Sequence, residues 1–280
     1  MNFPALKNIG CPQCNGLGYL LDLQNSNTKR TTIDLCQCAQ SQCQCENTPP
    51  YYYVETANGP NQLIPCPILP LHRKIEHIQR YYAQSELPYK FRFKFYNSHF
   101  ATHHINQHKE FIKQINTLLP PIWEGEEANL SRGLFFTGQA GSGKTHLAAI
   151  VINELILRHA LRAIFLKTTR LLDRLRATYS QNSRTYGQGE ALEQLYSSVP
   201  AIVLDDFGAQ QETDWAAETL YDMIDQRYEK GLFTVITSNK NLNDLASAAE
   251  GRIASRFKEM THTIEFPAID YRDLLAANLS

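Results

Sequence analysis

From residue 133 onward the apolar residues of this chain come in blocks, each either a continuous run or a set spaced by three and four. Continuous runs predict strands buried on both faces, and the spaced sets predict helices with one apolar stripe. Gly133-Leu134-Phe135-Phe136-Thr137 is such a strand. Thr145 to about Ala160 is a helix carrying Leu147, Ile150, Val151, Leu155 and Ile156. Ala163 to Leu166 is a second strand, followed by a helix from Arg170 to about Tyr179 that Thr168 or Thr169 can cap, with Leu171, Leu172 and Leu175 facing the core. A short helix, Glu190 to Tyr196, leads to the strand Ala201 to Leu204, which ends in two acids. Trp215 to Lys230 is a helix stopped by Gly231, and Phe233 to Thr237 is a further strand. Strands alternating with helices predict an α/β fold built on a parallel sheet.

The first part of the chain has no such rhythm. Residues 1 to about 70 are rich in Gln, Asn, Pro and Tyr and poor in aliphatic residues. Between the two regions, Ile75, Ile78, Tyr81 and Tyr82 predict a short helix that Pro88 stops. In the next stretch, Tyr89 to Tyr96, aromatic and basic residues alternate. Such a stripe can stack on bases of a single strand, or pack its rings on the neighbouring domain as an extended segment, the preferred reading. Ala101 to Leu119 predicts a helix ended by Pro120-Pro121, with His103, His104 and His108 on its solvated side, and Trp123 to Arg132 a surface loop. The expected organisation is a cysteine-rich module over 1–70, a helical joint over 71–88 and a large α/β domain over 89–280. With 280 residues, a net charge of −1 and a pI near 6.7, no global basic field points to nucleic acid, so any DNA contact must be local. No apolar run approaches the ~20 residues that cross a bilayer, and a soluble cytoplasmic protein is expected.

Chemistry enters at Gly138-Gln139-Ala140-Gly141-Ser142-Gly143-Lys144-Thr145, followed by His146. The string fits the phosphate-binding loop GxxxxGK[ST], and it lies between a strand and a helix as that loop requires. Glycines let several N–H groups converge on one anion at the helix N-terminus. Lys144 is expected to reach the β- and γ-phosphates of ATP, and Thr145 to ligand Mg²⁺. Asp205 and Asp206 end a buried strand, where α/β sheets bind their ligands. Asp205 is expected to hold Mg²⁺, and Asp206 to orient or deprotonate the attacking water. Asn239, just past a strand, is a candidate contact to the γ-phosphate. Arg252 and Arg256 place two cations near a helix end.

All seven cysteines, Cys11, Cys14, Cys36, Cys38, Cys43, Cys45 and Cys66, precede the phosphate loop. An odd count, with close CxC pairs, favours thiolate ligation of Zn²⁺ over disulfides. Cys11 and Cys14, in CPQCNGLGY, can close a Cys₄ tetrahedron with Cys36 and Cys38. Cys43, Cys45 and Cys66 offer three more ligands. His72 is the nearest imidazole that can complete a second site, although a surface role is the commoner one. The alternatives are one zinc with spare thiols, or ligands exchanged between the CxC pairs. So short and apolar-poor a segment needs a metal to fold, and no general base stands near an open position, so a structural zinc in a docking module is expected. Tyr51-Tyr52-Tyr53 can serve as contact residues or, preferably, pack as a strand.

The phosphate loop, Leu204-Asp205-Asp206, Thr237-Ser238-Asn239 and Ser255-Arg256-Phe257, in that order, resemble the AAA+ ATPases. GQAGSGKTHLA, LDDFG, Asp225-Gln226-Arg227-Tyr228, Leu87-Pro88-Tyr89-Lys90-Phe91-Arg92 and Tyr271-Arg272 are more closely similar to the replicative-helicase loaders of the DnaC/DnaI type, over about residues 85 to 275. The resemblance implies a three-layer AAA+ core without a helical lid, since only about two dozen residues follow Arg256. It gives Asn239 the sensor-1 role, Arg256 that of an arginine finger acting on a neighbouring subunit, and Arg272 part of a sensor-2 role. It also implies a hexameric helicase and single-stranded DNA as partners, with Phe91, Arg174 and Arg176 as candidate DNA contacts. A transposition helper of the IstB-like type is the alternative within the same branch. A small-metabolite kinase would leave TSN, SRF and the cysteines unexplained. A zinc adaptor that binds ATP without turnover is distinguished by failure to hydrolyse.

Overall fold

The computed structural model describes residues 11–14, 16–22, 32–56, 61–92, 109–123, 128–179, 187–210, 213–246, 251–268 and 270. The chain forms two compact units, residues 1–83 and 84–280.

Among its described residues, the first unit contains two antiparallel hairpins, a one-turn helix at Gln37–Gln40 and a longer helix. Strands β1 (Tyr19–Asp22) and β2 (Thr32–Leu35) form one hairpin, and β3 (Tyr52–Glu55) and β4 (Gln62–Pro65) the other. Helix α1 (Leu69–Gln84) follows, burying Leu71, Ile75, Ile78 and Tyr82 at intervals of three and four. It starts at Leu69, with Pro70 in the first turn, where a missing N–H costs nothing.

The second unit contains a five-stranded, all-parallel sheet in the order β6-β7-β8-β5-β9. Its strands are β5 (Gly133–Thr137), β6 (Ala163–Lys167), β7 (Ala201–Phe207), β8 (Phe233–Ser238) and β9 (Thr261–Glu265). Every residue of β5 and β8 is buried, which is why these strands read as unbroken apolar runs. Strand β9 at the edge buries only Thr261 and Ile264, and no continuous run announced it.

The strand period of two divides the core. Phe135, Ile164, Leu166, Ile202, Leu204 and Ile236 share one face with Leu171, Leu172 and Leu175 of α4 (Thr168–Ala177) and Leu220, Met223 and Ile224 of α6 (Asp214–Glu229). Tyr196 of α5 (Gly189–Ser198), Leu245 of α7 (Leu242–Ala246) and Ile253 and Phe257 of α8 (Gly251–Met260) complete that layer. Helix α3 (Lys144–His159) packs on β6, β7 and β8, and it is buried along most of its length. Helix α2 (Lys109–Leu118) lies by β9, where Gln114 donates to the Thr263 carbonyl at 2.9 Å. Among the described residues, no helix follows β9.

Three local expectations change. Tyr89–Phe91 is a 3₁₀ turn, and an extended stripe is absent there, because the Asn153 side chain of α3 holds the Phe91 carbonyl at 2.8 Å and the Phe91 ring rests on His146. Residues 93–108, including the rest of that stripe and the three histidines of the expected helix, lie outside the described residues. Pro120-Pro121 opens a short helical turn to Trp123 and buries Ile122 and Trp123, since proline suits a first helical position. Thr168 does not cap α4; its hydroxyl donates to the Asp205 carbonyl at 3.1 Å.

Candidate functional site

The C-terminal ends of β5, β7 and β8 converge on the start of α3. Gly138, Gly141 and Gly143 have φ of 138°, 83° and 98°, backbone that glycine adopts without strain. A Cβ at Gly141 would lie 2.2 Å from the Asp270 carboxyl group, so that side chain would have to swing aside. The loop wraps the Lys144 ammonium, which donates to the carbonyls of Gly138 at 2.6 Å and Gln139 at 2.7 Å, with Ser142 Oγ at 3.4 Å. Gln139 and Ala140 are exposed at the loop tip, and His146 is half-buried under Phe91.

A buried hydroxyl–carboxylate cluster joins the loop to the acidic strand end. Thr145 Oγ1 donates to Asp205 Oδ1 at 2.7 Å, and Thr237 Oγ1 donates to the same oxygen at 2.8 Å. The Asp206 N–H donates back to Thr237 Oγ1 at 3.0 Å. Simple strand alternation would send Asp205 and Asp206 to opposite faces. Asp206 instead has φ 63°, and the β7–β8 register shifts between Leu204 and Phe207. Bulges of this kind re-aim side chains beside functional sites. The Asp206 carboxylate lies 3.9 Å from Lys167, at the end of β6.

Burial moves both key charges. It lowers the Lys144 ammonium from its ordinary value, opposed by Asp206 and Asp205. It raises the Asp205 carboxyl group, opposed by the hydrogen bonds from Thr145 and Thr237. Such groups are poised to gain from a cation and an anion that complement them, and a magnesium–triphosphate supplies both.

Family comparison decides between phosphate-loop classes. The family model described as IstB-like ATP binding protein matches residues 71–253. The chain belongs to that family. Over 123 residues this IstB-like chain is 28% identical to the replicative helicase loader DnaC of Escherichia coli K12, covering 44% of this chain and 49% of that one. Over 107 residues it is 30% identical to an insertion-sequence ATP-binding protein of Mycobacterium tuberculosis, covering 38% of this chain and 40% of that one. The chain spans about half the length of the curated relatives it matches first. Among solved structures, a DnaC helicase loader aligns over 68% of this chain and 99% of its own, with 24% identity and a TM-score of 0.47. A primosome component of Streptococcus pyogenes serotype M3 aligns over 66% of this chain and 92% of its own, with 19% identity and a TM-score of 0.51, a likeness of fold alone. The parallel sheet with flanking helices is an AAA+ fold.

Other expected site residues of the IstB-like unit lie apart from the cluster. Register sets Thr137 opposite Ser238, which brings Asn239, exposed, to the level of Gly138. Arg256 on α8 is held by Asp225, Nε to Oδ1 at 2.6 Å, and its guanidinium covers the Tyr228 ring at 4.6 Å. Asp225 raises its affinity for the proton further. Arg174 is paired with Glu86, and Arg176 lies over Trp215, so both are engaged within the fold. Arg272 lies outside the described residues. In the sequence Thr237 and Asp225 stand only as members of the Thr237-Ser238-Asn239 and Asp225-Gln226-Arg227-Tyr228 motifs, with no role of their own, and the signal available for Lys167 was only its place at the end of β6.

In the first unit the thiols gather in two groups, Cys11, Cys14, Cys36 and Cys38, and separately Cys43, Cys45, Cys66 and His72. In the first group the Cys11–Cys36 and Cys14–Cys38 sulfurs are 3.8 and 3.6 Å apart. Four thiolates at the ~2.3 Å zinc distance have tetrahedral edges of about 3.8 Å, so the donor set fits Zn²⁺. Among the described residues, no helix is long and apolar enough to cross a membrane.

Proposed function

We propose that this chain is an ATP-driven loader of a replicative DNA helicase. The observation that carries the reading is the pairing, in one chain, of an IstB-like ATPase unit with a separate unit built around two clusters of soft metal donors. In this reading Gly138 to His146 hold the nucleotide, and Lys144 binds its β- and γ-phosphates. Thr145 and Asp205 provide hard oxygens for Mg²⁺, which when bound neutralises phosphate charge. Asp206 orients or deprotonates the attacking water, Asn239 contacts the γ-phosphate, and Arg256 completes a neighbour's site in a self-assembled ring. Residues 1–70 dock on the helicase, with zinc held by Cys11, Cys14, Cys36 and Cys38; residues 71–88 connect, and 89–280 bind ATP and single-stranded DNA.

The insertion-sequence relative and the family description support a second reading, a transposition helper that engages a transposase. The test is co-purification of the full chain with the host's hexameric helicase in ATP, ADP and nucleotide-free buffers. ATP-dependent association supports loading. Failure in every state, or preference for a transposase, ends the loader reading.

A further inference from the structure

We infer that Cys43, Cys45, Cys66 and His72 form a second zinc site, independent of the Cys₄ group, with His72 Nε2 as its fourth ligand. The inference does not depend on the loader reading.

Geometry carries it. The Cys43–Cys45 and Cys43–Cys66 sulfurs are 3.6 and 3.9 Å apart. His72 Nε2 lies 3.6 Å from the Cys43 sulfur and 3.4 Å from the Cys45 sulfur. Zinc at ~2.3 Å from sulfur and ~2.0–2.1 Å from nitrogen has edges of about 3.8 Å between sulfurs and about 3.5 Å between sulfur and nitrogen. The measured edges outline that tetrahedron. A disulfide would need sulfurs ~2.05 Å apart, and all seven cysteines are free. Three thiolates and an imidazole select a soft or borderline metal over Mg²⁺ or Ca²⁺.

The imidazole is aimed by its surroundings. His72 is 2% exposed, in the first turns of α1. The Tyr51 ring stacks on it, centroids 4.2 Å apart and planes 2° from parallel, and the Tyr51 hydroxyl donates to Glu76 one turn along the helix at 3.1 Å. Outer partners of this kind fix a ligand's orientation.

The site joins three segments that little else holds. Cys43 and Cys45 precede the β3–β4 hairpin, Cys66 immediately follows it, and His72 lies on α1. The hairpin buries almost no apolar surface: Val54 is 55% and Leu63 67% exposed, side by side on one face. A lone two-stranded hairpin is marginal in water, so the metal supplies the missing fixation.

The full-length chain, reconstituted with zinc under reducing conditions, is expected to carry two zinc ions by native mass spectrometry. Under chelator competition that spares the wild type, His72→Ala should retain one zinc. Hydrogen exchange should then rise over Tyr52–Pro65 but not over Tyr19–Leu35, and retained ATP binding serves as the folding control. His72→Cys should restore the second metal, and its cobalt-substituted form should shift its visible bands toward those of an all-thiolate site. A single zinc in the wild type, two equally retained zincs in His72→Ala, or unchanged exchange in the hairpin overturns the assignment.

Discussion

Lys144 holds its ammonium against the carbonyls of Gly138 and Gln139, so binding a phosphate exchanges neutral acceptors for a charged one. Bonds to charged groups contribute about 1.5–3 kcal/mol. Lys144→Ala is therefore expected to weaken ATP binding by roughly 10- to 100-fold in a fluorescent-nucleotide titration. Arg256, the proposed finger, is paired with Asp225 in its own subunit, and Arg256→Ala should bind ATP as the wild type does. Its helicase-stimulated turnover should fall by roughly 10³-fold or more, and normal turnover would remove the trans role. Thr237 is the hinge of the buried cluster, donating to Asp205 and accepting from the Asp206 N–H. Thr237→Val keeps the shape, takes the acceptor from the Asp206 N–H and leaves Asp205 Oδ1 with the Thr145 hydroxyl alone. A loss of about 2 kcal/mol in urea unfolding, together with slower hydrolysis, is the expected result.

At the scale of elements, α6 shows how a helix is tied to a parallel sheet by one side chain. Its predicted core face, Leu220, Met223 and Ile224, is buried, and Arg227 extends the same stripe inward. The guanidinium is fully enclosed and donates to the carbonyls of Tyr196, Val199 and Phe233 at 2.8–2.9 Å and to the Thr234 hydroxyl at 2.9 Å. These acceptors lie at the end of α5 and the start of β8, so Arg227 ties both of those elements to its own helix. Arg227→Met would fill similar volume but strand three carbonyls. It is expected to cost about 3 kcal/mol or more, read as a lowered unfolding midpoint at unchanged ATP affinity in the remaining folded fraction. No charge pattern distinguishes this arginine from Arg256 in the sequence. One is a tie inside the core and the other stands at the surface, and only packing separates them.

For the whole molecule, the division into two units predicts separable losses. A chelator strong enough to strip zinc should release the helicase and spare ATP binding, followed by pulldown and nucleotide titration on the same sample. Loss of both together would mean that the units fold as one. What the sequence determined by itself was whatever local chemistry specifies. Continuous apolar runs marked the buried strands β5 to β8, glycine spacing marked the phosphate loop, and cysteine spacing marked the metal-donor segment. Such signals are short in range, because strand burial, loop dihedrals and CxC turns each depend on a few neighbouring residues. The tertiary structure alone decided the relations between distant positions. Thr145 and Thr237 meet on one Asp205 carboxylate oxygen only because β8 lies between β7 and β5 in the sheet. His72, readable as an ordinary surface histidine, became buried among the sulfurs because α1 turns its first helical face toward Cys43 and Cys45. The left-handed backbone at Asp206 and the enclosure of Arg227 belong to the same class. Each is set by how elements pack, and packing is a property of contacts between segments far apart in the chain.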